Sequence, residues 1–222
     1  MKTAVCLSGQ ARFISQNFEN LLGNLILPTE ADVFCHFWDT SGENLEPHKA
    51  AEVFKPTDCL LEPQKVFDEG AQRFIRPEYR FANPRRYQNI HSMYYSIWRA
   101  NLLKREYEQK YGFSYDCVIR SRTDIAFGQT FDFAEFKTNQ DALWLRQYGE
   151  SPAGISCSDL FAFSNSQQMD VYSACFTHLS ELLEEGGHLF AETILHSYLS
   201  PRCDIALSKM RYSVVRDQSH TV

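Results

Sequence analysis

Short apolar runs typical of buried strands alternate with amphipathic helical segments along this 222-residue chain. The clearest helix is predicted at residues 88–111, where apolar side chains recur three and four positions apart until Gly112 ends the pattern. Strands that alternate with helices are typical of parallel sheets whose connections run along the two faces. The sequence therefore predicts one α/β domain over residues 1–222, with a mostly parallel central sheet flanked by helices.

Shorter patterns of the same kind predict the remaining elements. Strands are expected at residues 4–7, 32–38, 59–62, 142–145, 160–164 and 212–215, besides one that starts near residue 115. Further helices are expected after Gln10 until about Gly23, at residues 48–54, from a cap at Ser164 or Asn165 to Leu183, and from Ala191 to Leu199. Residues 67–87, rich in Arg and Pro, are expected to form a long loop.

Composition narrows the class of protein. Hydrophobic residues make up 44% of the chain and charged residues 23%, which is typical of a soluble globular domain. The net charge of −6 argues against a nucleic-acid-binding protein. The seven cysteines show no C-x-x-C spacing, so they are expected to be reduced thiols. No signal-peptide core and no membrane-spanning run is visible, so a cytoplasmic protein without a transmembrane segment is predicted.

Charged residues end the strand that starts near residue 115, where the apolar Val118 and Ile119 are followed by Arg120, Arg122 and Asp124. Side chains alternate along a strand, so these three charged residues share one side unless the chain turns before Asp124. Ligands of open α/β sheets bind at this edge. The two guanidinium groups suit an anionic ligand, and Asp124 suits a metal ion or a sugar hydroxyl. The alternative is a structural ion pair that closes the strand end.

Two other strand ends carry candidate binding residues. Ser8, Gly9, Gln10 and Arg12 follow the first strand, where a glycine turn lets backbone N–H groups approach a phosphate and Arg12 can reach a diphosphate. The alternative is an ordinary turn between a strand and a helix. Trp38 ends the second strand, where it can stack on a nucleoside or sugar, or else pack in the core.

Two acidic residues are candidates for a catalytic base. Asp159 follows residues 152–155, which are expected to form a flexible loop that closes over a substrate. Glu192 lies in the first turn of a late helix. Each has a structural alternative, because aspartate caps turns and the helix dipole favours an acid at this position. The basic and aromatic run at residues 73–87 lines an acceptor groove or forms a solvated loop.

Five motifs in order along the chain carry a resemblance to a known family. They are Ser8-Gly9-Gln10-x-Arg12, Asp32-Val33-Phe34-x-His36-x-Trp38-Asp39, Gln88-x-x-x-Ser92-Met93-Tyr94-Tyr95-Ser96-Ile97, Tyr115-Asp116-x-Val118-Ile119-Arg120-x-Arg122-x-Asp124 and Asp159-x-Phe161-Ala162-Phe163. This order resembles small GT-A-like glycosyltransferases found in bacterial surface-polysaccharide gene sets and in large DNA viruses. The resemblance covers about residues 3–200, and its most specific parts are the first motif and the Arg-x-Asp strand end.

The resemblance implies a Rossmann-like GT-A domain that binds a nucleotide sugar and acts in polysaccharide biosynthesis. In that family a D-x-D motif holds a divalent metal on the donor diphosphate. Here the matching position reads Arg122-Thr123-Asp124, so one carboxylate is present instead of two. Either Asp124 alone holds Mn²⁺ or Mg²⁺, or Arg122 neutralises part of the diphosphate charge.

The sequence thus predicts a glycosyltransferase that moves a sugar from a nucleotide-diphosphate sugar to a hydroxyl of a glycan or glycolipid acceptor. The predicted donor-binding residues are Ser8, Gly9, Gln10, Arg12, Trp38, Arg120 and Arg122, with Asp124 as metal ligand and Asp159 or Glu192 facing the acceptor. Two alternatives stay open: a nucleotidyltransferase that acts on a sugar phosphate, and a non-catalytic module that binds a nucleotide or glycan.

Overall fold

A computed structural model of the chain describes residues 1–67, 86–151, 154–185 and 189–216. The strands are β1 (Thr3–Gly9), β2 (Asp32–Trp38), β3 (Asp58–Glu62), β4 (Cys117–Ser121), β5 (Ile125–Phe127), β6 (Leu143–Ser151), β7 (Gly154–Ser164), β8 (Ile205–Leu207) and β9 (Tyr212–Val214). The helices are α1 (Ile14–Leu21), α2 (Leu27–Thr29), α3 (Pro47–Phe54), α4 (Arg86–Tyr111), α5 (Ala134–Thr138), α6 (Ser166–Ser173), α7 (Leu179–Glu184) and α8 (Ala191–Leu199).

Seven of the described strands form one central sheet in the order β3-β2-β1-β4-β7-β6-β8. The pairs β3·β2, β2·β1, β1·β4 and β6·β8 are parallel, whereas β7 runs antiparallel to both β4 and β6. The remaining two, β5 and β9, form a separate antiparallel pair. The predicted α/β fold with a mostly parallel sheet flanked by helices is therefore confirmed.

Strand β1 is buried on both faces because its side chains alternate between two apolar clusters. Ala4 and Cys6 belong to the cluster built on α4, and Val5 and Leu7 belong to the cluster built on α1 and α3. Full burial of each large apolar side chain in such a cluster stabilises the fold by roughly 1.5–3 kcal/mol. The two helical layers consequently hold β1 and its neighbours in the centre of the molecule.

Several predicted elements are confirmed with small shifts of their bounds. The strand at residues 32–38 is β2, and the helices predicted at residues 48–54 and 88–111 are α3 and α4, which begin one and two residues earlier. Most of the loop predicted at residues 67–87, with its basic run, lies outside the described residues, although Tyr87 belongs to α4. Within the described ranges, no helix combines the length and the apolar character needed to cross a membrane.

The predicted end of the first helix near Gly23 is wrong. The chain continues from α1 through a π-helical turn, Leu22–Ile26, into α2. Leu25 and Ile26 are buried in the α1 cluster, so the apolar face extends past the glycine. The apolar face outweighs the low helix propensity of glycine, which is only about 1 kcal/mol.

Of the loop predicted at residues 152–155, residues 152–153 lie outside the described residues, and Gly154 and Ile155 belong to β7, which pairs antiparallel with β6. Asp159 therefore lies within a strand. The single helix predicted after Ser164 is divided into α6, a 3₁₀ segment at Ala174–His178, and α7. Asn165 provides the cap, because its side chain accepts a hydrogen bond from the Gln168 N–H.

Candidate functional site

A cavity of about 410 Å³ lies at the carboxyl ends of β1, β2 and β4. All seven predicted donor-binding residues line it: Ser8, Gly9, Gln10, Arg12, Trp38, Arg120 and Arg122. The strand order runs outward from β1 to β3 and then returns to place β4 on the other side of β1. Ligands of open α/β sheets bind at such a reversal of strand order, and the volume suits a small-molecule ligand.

The first turns of α4 cover the cavity opposite the strand ends. Gln88, Asn89, Ser92 and Met93 line it from α4, and Gln64 lines it from the segment after β3. The sequence did not predict these residues as ligand-binding groups. Gln88, Ser92 and Met93 belong to the third of the five motifs, but they reach the strand ends only because α4 packs on β1 and β2. The amino-terminal end of α4 adds partial positive charge at this place.

Three guanidinium groups make the cavity wall cationic, although the whole chain carries a net charge of −6. Partial burial, followed by repulsion from Arg122, lowers the pKa of Arg12, and Asp124 offsets part of that effect. Burial also works to lower the pKa of Arg122, but its hydrogen bonds to Asp124 and the charges of Asp124 and Asp159 raise the pKa overall. No carboxylate is among the described residues that line the cavity.

The chain turns directly after Ser121, so the alternation expected along Arg120, Arg122 and Asp124 does not continue to Asp124. Arg122 instead forms a two-point ion pair with Asp124, with Nε donating to Oδ1 at 2.8 Å and Nη2 donating to Oδ2. Asp124 is only 2% exposed. The structural ion pair that was the alternative explanation of this motif is therefore present.

The described residues around Asp124 do not form a divalent-metal site by themselves. Each carboxylate oxygen accepts a hydrogen bond from Arg122, so a cation on the remaining lone pairs would lie beside a positively charged guanidinium group. In the described part of the chain, no group of three or more His, Cys, Asp or Glu side chains is placed to hold a metal ion. Divalent cations require several such oxygen ligands or a bound phosphate that supplies them.

Thr123, between the paired Arg122 and Asp124, joins two loops of the cavity. Its hydroxyl accepts a hydrogen bond from the Arg12 N–H at 3.0 Å. The Asn17 side chain of α1 donates to the backbone carbonyls of Thr123 and Ile125, both at 2.8 Å. Thr123 and Asn17 are both buried, and they fix the Ser8–Arg12 turn against the end of β4. Sequence reasoning assigned neither of them a role.

A chain of hydrogen bonds links the backbone of Gly9, which lines the cavity, to the side chains of Ser96, His36 and Glu62. The Gly9 N–H donates to Ser96 Oγ at 2.6 Å, Ser96 Oγ lies 2.7 Å from His36 Nδ1, and His36 Nε2 lies 2.8 Å from Glu62 Oε1. Burial lowers the pKa of His36 to about 4, against the opposing effect of Glu62. A neutral His36 then donates from Nε2 to the Glu62 carboxylate, and its Nδ1 accepts a hydrogen bond from the Ser96 hydroxyl, which also lies 3.1 Å from the His36 carbonyl oxygen.

Trp38 and Arg120 line the cavity with side chains that are almost fully buried, each 2% exposed. Trp38 stacks on Tyr95 of α4, with ring centroids 5.4 Å apart and an interplanar angle of 20°. It therefore packs in the core as well as facing the cavity. Arg120 Nη1 donates to the backbone carbonyl of Asp159, which ties β4 to β7.

The two predicted catalytic acids do not line the cavity. Asp159 is 7% exposed within β7, and its charge raises the pKa of Arg122. Glu192 lies in the first turn of α8 beside Tyr94, whose hydroxyl donates to the Ala191 carbonyl at 2.7 Å. Asp159 is thus the acid whose field reaches a cavity residue.

No protein-family model matches the chain, and no curated protein matches it as a relative. Its function therefore has to be inferred from the chemistry of the site.

Proposed function

We propose that the chain is a glycosyltransferase that moves a sugar from a nucleoside-diphosphate sugar to a hydroxyl of a glycan acceptor, on a domain of the GT-A type. The observation that carries the proposal is the cavity at the ends of β1, β2 and β4. There, three strand ends contribute the Ser8–Arg12 turn, an aromatic ring and guanidinium groups to a single site. Loss of a nucleoside diphosphate develops negative charge on the leaving group, and preorganised cations stabilise that charge.

Arg12 and Arg122 are the residues proposed to stabilise the leaving diphosphate. Both residues line the same cavity, where partial burial and then repulsion from Arg122 lower the pKa of Arg12. Negative charge on the departing group relieves this repulsion, so the two cations interact more strongly with the products of bond cleavage than with the intact donor. An interaction that strengthens along the reaction lowers the barrier.

Asp159 is proposed as the base that accepts the proton of the acceptor hydroxyl. Its charge raises the pKa of Arg122, which lines the cavity, whereas Glu192 acts on the buried Tyr94, as Asp159 also does. A positioned base contributes about 10²–10⁴-fold to the rate. The proton passes from the acceptor oxygen to Asp159 as that oxygen bonds to the sugar and the nucleoside diphosphate leaves.

The test is a transfer assay of the purified full chain with UDP-, GDP- and dTDP-sugars, preceded by a thermal-shift screen for binding. We expect one donor class to bind and to be turned over. Asp159→Asn should reduce turnover about 100-fold or more while the Kd for the donor changes less than about threefold. Glu192→Gln is the matched control and should retain most of the activity. Absence of binding and of hydrolysis with every donor contradicts the proposal.

One observation favours a second candidate, a nucleotide- or glycan-binding module without turnover. Among the described residues, the cavity wall contains no acid that can serve as a base, and Asp124 is already paired with Arg122. Donor binding without turnover, unchanged in Asp159→Asn, identifies this candidate.

A further inference from the structure

Two residues that line the cavity each have one buried polar atom without a hydrogen-bond partner among the described residues. These atoms are Ser8 Oγ and Arg120 Nε, in side chains that are 1% and 2% exposed. Buried polar groups are nearly always hydrogen-bonded, so an unpaired hydroxyl and an unpaired guanidinium N–H on two residues of one cavity wall indicate a ligand that accepts hydrogen bonds.

The charges around these atoms indicate that the ligand is an anion. Arg12, Arg120 and Arg122 contribute three positive charges to the wall, and Asp124 and Asp159 lie close enough to Arg122 to offset part of them. Arg120 Nη1 donates to the backbone carbonyl of Asp159, which is a neutral acceptor. Its charge has no carboxylate in direct contact among the described residues, and a buried cation of this kind is costly without an anionic partner.

A divalent metal is a poor fit for the same place. Asp124 is the carboxylate that the sequence predicts as metal ligand, and both of its oxygens accept hydrogen bonds from Arg122. A cation beside it would also face the repulsion of Arg12 and Arg122. Guanidinium groups bind phosphate oxygens in a planar, two-point geometry and need no metal to do so.

We infer that this cavity binds a diphosphate through Ser8, Arg120, Arg12 and Arg122 without a divalent metal. The Ser8 hydroxyl and the Arg120 Nε–H donate to phosphate oxygens, and the other two guanidinium groups neutralise the remaining charge. The identification of the diphosphate as part of a nucleotide sugar rests on the proposed function. The anion site itself rests on the unpaired donors and the cationic wall.

Calorimetric titration of inorganic diphosphate into the full chain in EDTA tests the inference. We expect saturable binding with one diphosphate per chain. Ser8→Ala should weaken it about tenfold, since a hydrogen bond to a charged acceptor is lost. The variant should not lower the Tm of the free protein, because it removes a buried hydroxyl that has no partner. Because Ser8→Ala should fold as the wild type does, weaker diphosphate binding by this variant can be assigned to the lost hydroxyl.

Ser164→Ala is the matched control for the hydroxyl. Ser164 is also fully buried, but its Oγ donates to the Ala142 carbonyl at 2.6 Å. This variant should lower the Tm and leave diphosphate binding unchanged. The opposite pattern, with Ser8→Ala destabilising the free protein and binding as the wild type does, overturns the role of Ser8.

Arg12→Gln and Arg105→Gln form a second matched pair. Arg105 pairs with Asp170 and lies on α4 about 25 Å along the helix axis from Gln88, at 1.5 Å per residue. We expect Arg12→Gln to weaken diphosphate binding about tenfold and Arg105→Gln to leave it unchanged. Equal weakening by both variants indicates diffuse charge attraction and overturns the site.

The outcomes separate this inference from the proposed function. Binding of diphosphate and of a nucleotide sugar only when Mn²⁺ or Mg²⁺ is added overturns the metal-free site and leaves the glycosyltransferase proposal standing. Binding of diphosphate in EDTA without turnover of any nucleotide sugar supports the metal-free site and contradicts the glycosyltransferase proposal. Failure to bind diphosphate under either condition overturns the anion site itself.

Discussion

At the scale of single residues, burial sets the charge of a side chain that supports the cavity. His36 is fully buried, and its pKa is lowered to about 4 from an ordinary value of 6.5. Below pH 6.5 the unfolded chain takes up a proton at this residue that the folded chain does not. Stability should therefore fall as the pH is lowered from about 6.5 to about 4, by roughly 3 kcal/mol from this residue.

His36→Gln tests this origin of the acid sensitivity. The substitution keeps a donor for Glu62 and loses the bond to Ser96, so we expect it to cost about 1–2 kcal/mol at pH 7. Its free energy of unfolding should depend less on pH between 6.5 and 4 than that of the wild type, as measured by urea denaturation. His48→Gln, at an exposed histidine, serves as control and should follow the wild-type curve. Parallel curves for wild type and His36→Gln refute the assignment.

At the scale of elements, α1 holds the two cavity loops together through one side chain. Asn17→Ala leaves the backbone carbonyls of Thr123 and Ile125 without their shared donor, which should cost about 2–3 kcal/mol. Because Thr123 also accepts from the Arg12 N–H, the loss should weaken diphosphate binding by about fivefold. Denaturation and calorimetric titration measure the two effects.

Asn20→Ala is the control for that prediction, one turn farther along α1. Asn20 exchanges two hydrogen bonds with the backbone of Phe127, in β5 and away from the cavity. It should destabilise the protein without changing diphosphate binding. If both variants weaken binding equally, the loss reflects general loosening of α1 and not the Thr123 contact.

The positions of some cavity residues could be predicted from the sequence, because they depend on the strands alone. Ser8, Trp38 and Arg120 lie at or near the ends of strands whose apolar runs are unambiguous, and parallel strands bring such ends to one edge of the sheet. Asp159 was expected beside a loop because the polar residues Ser156 and Ser158 interrupt the apolar pattern, although this part of the chain pairs with β6 as a strand. The role of Ser96 could not be predicted, because its contact with His36 arises only when α4 packs on β2.

At the scale of the whole molecule, the two apolar clusters are joined by the strands that separate them. Consecutive residues of β1 enter opposite clusters, and so do Val118 and Ile119 of β4. Neither cluster can therefore open without exposing the strand residues that belong to the other. The antiparallel pairing of β7 with β4 also connects the β6–β7 hairpin to this centre.

We accordingly expect the chain to unfold in one cooperative transition, with an enthalpy near 60 °C of about 150 kcal/mol. Differential scanning calorimetry should give a calorimetric enthalpy equal to the van't Hoff enthalpy. Diphosphate at about 100 times its Kd should add about 2.7 kcal/mol and raise the Tm of the entire transition by about 5–10 °C, because the cavity is built from the central strands β1, β2 and β4. Two unfolding transitions, of which diphosphate shifts only one, contradict the prediction of one cooperative unit. They would indicate that the β1–β4 half and the β6–β8 half of the sheet unfold separately.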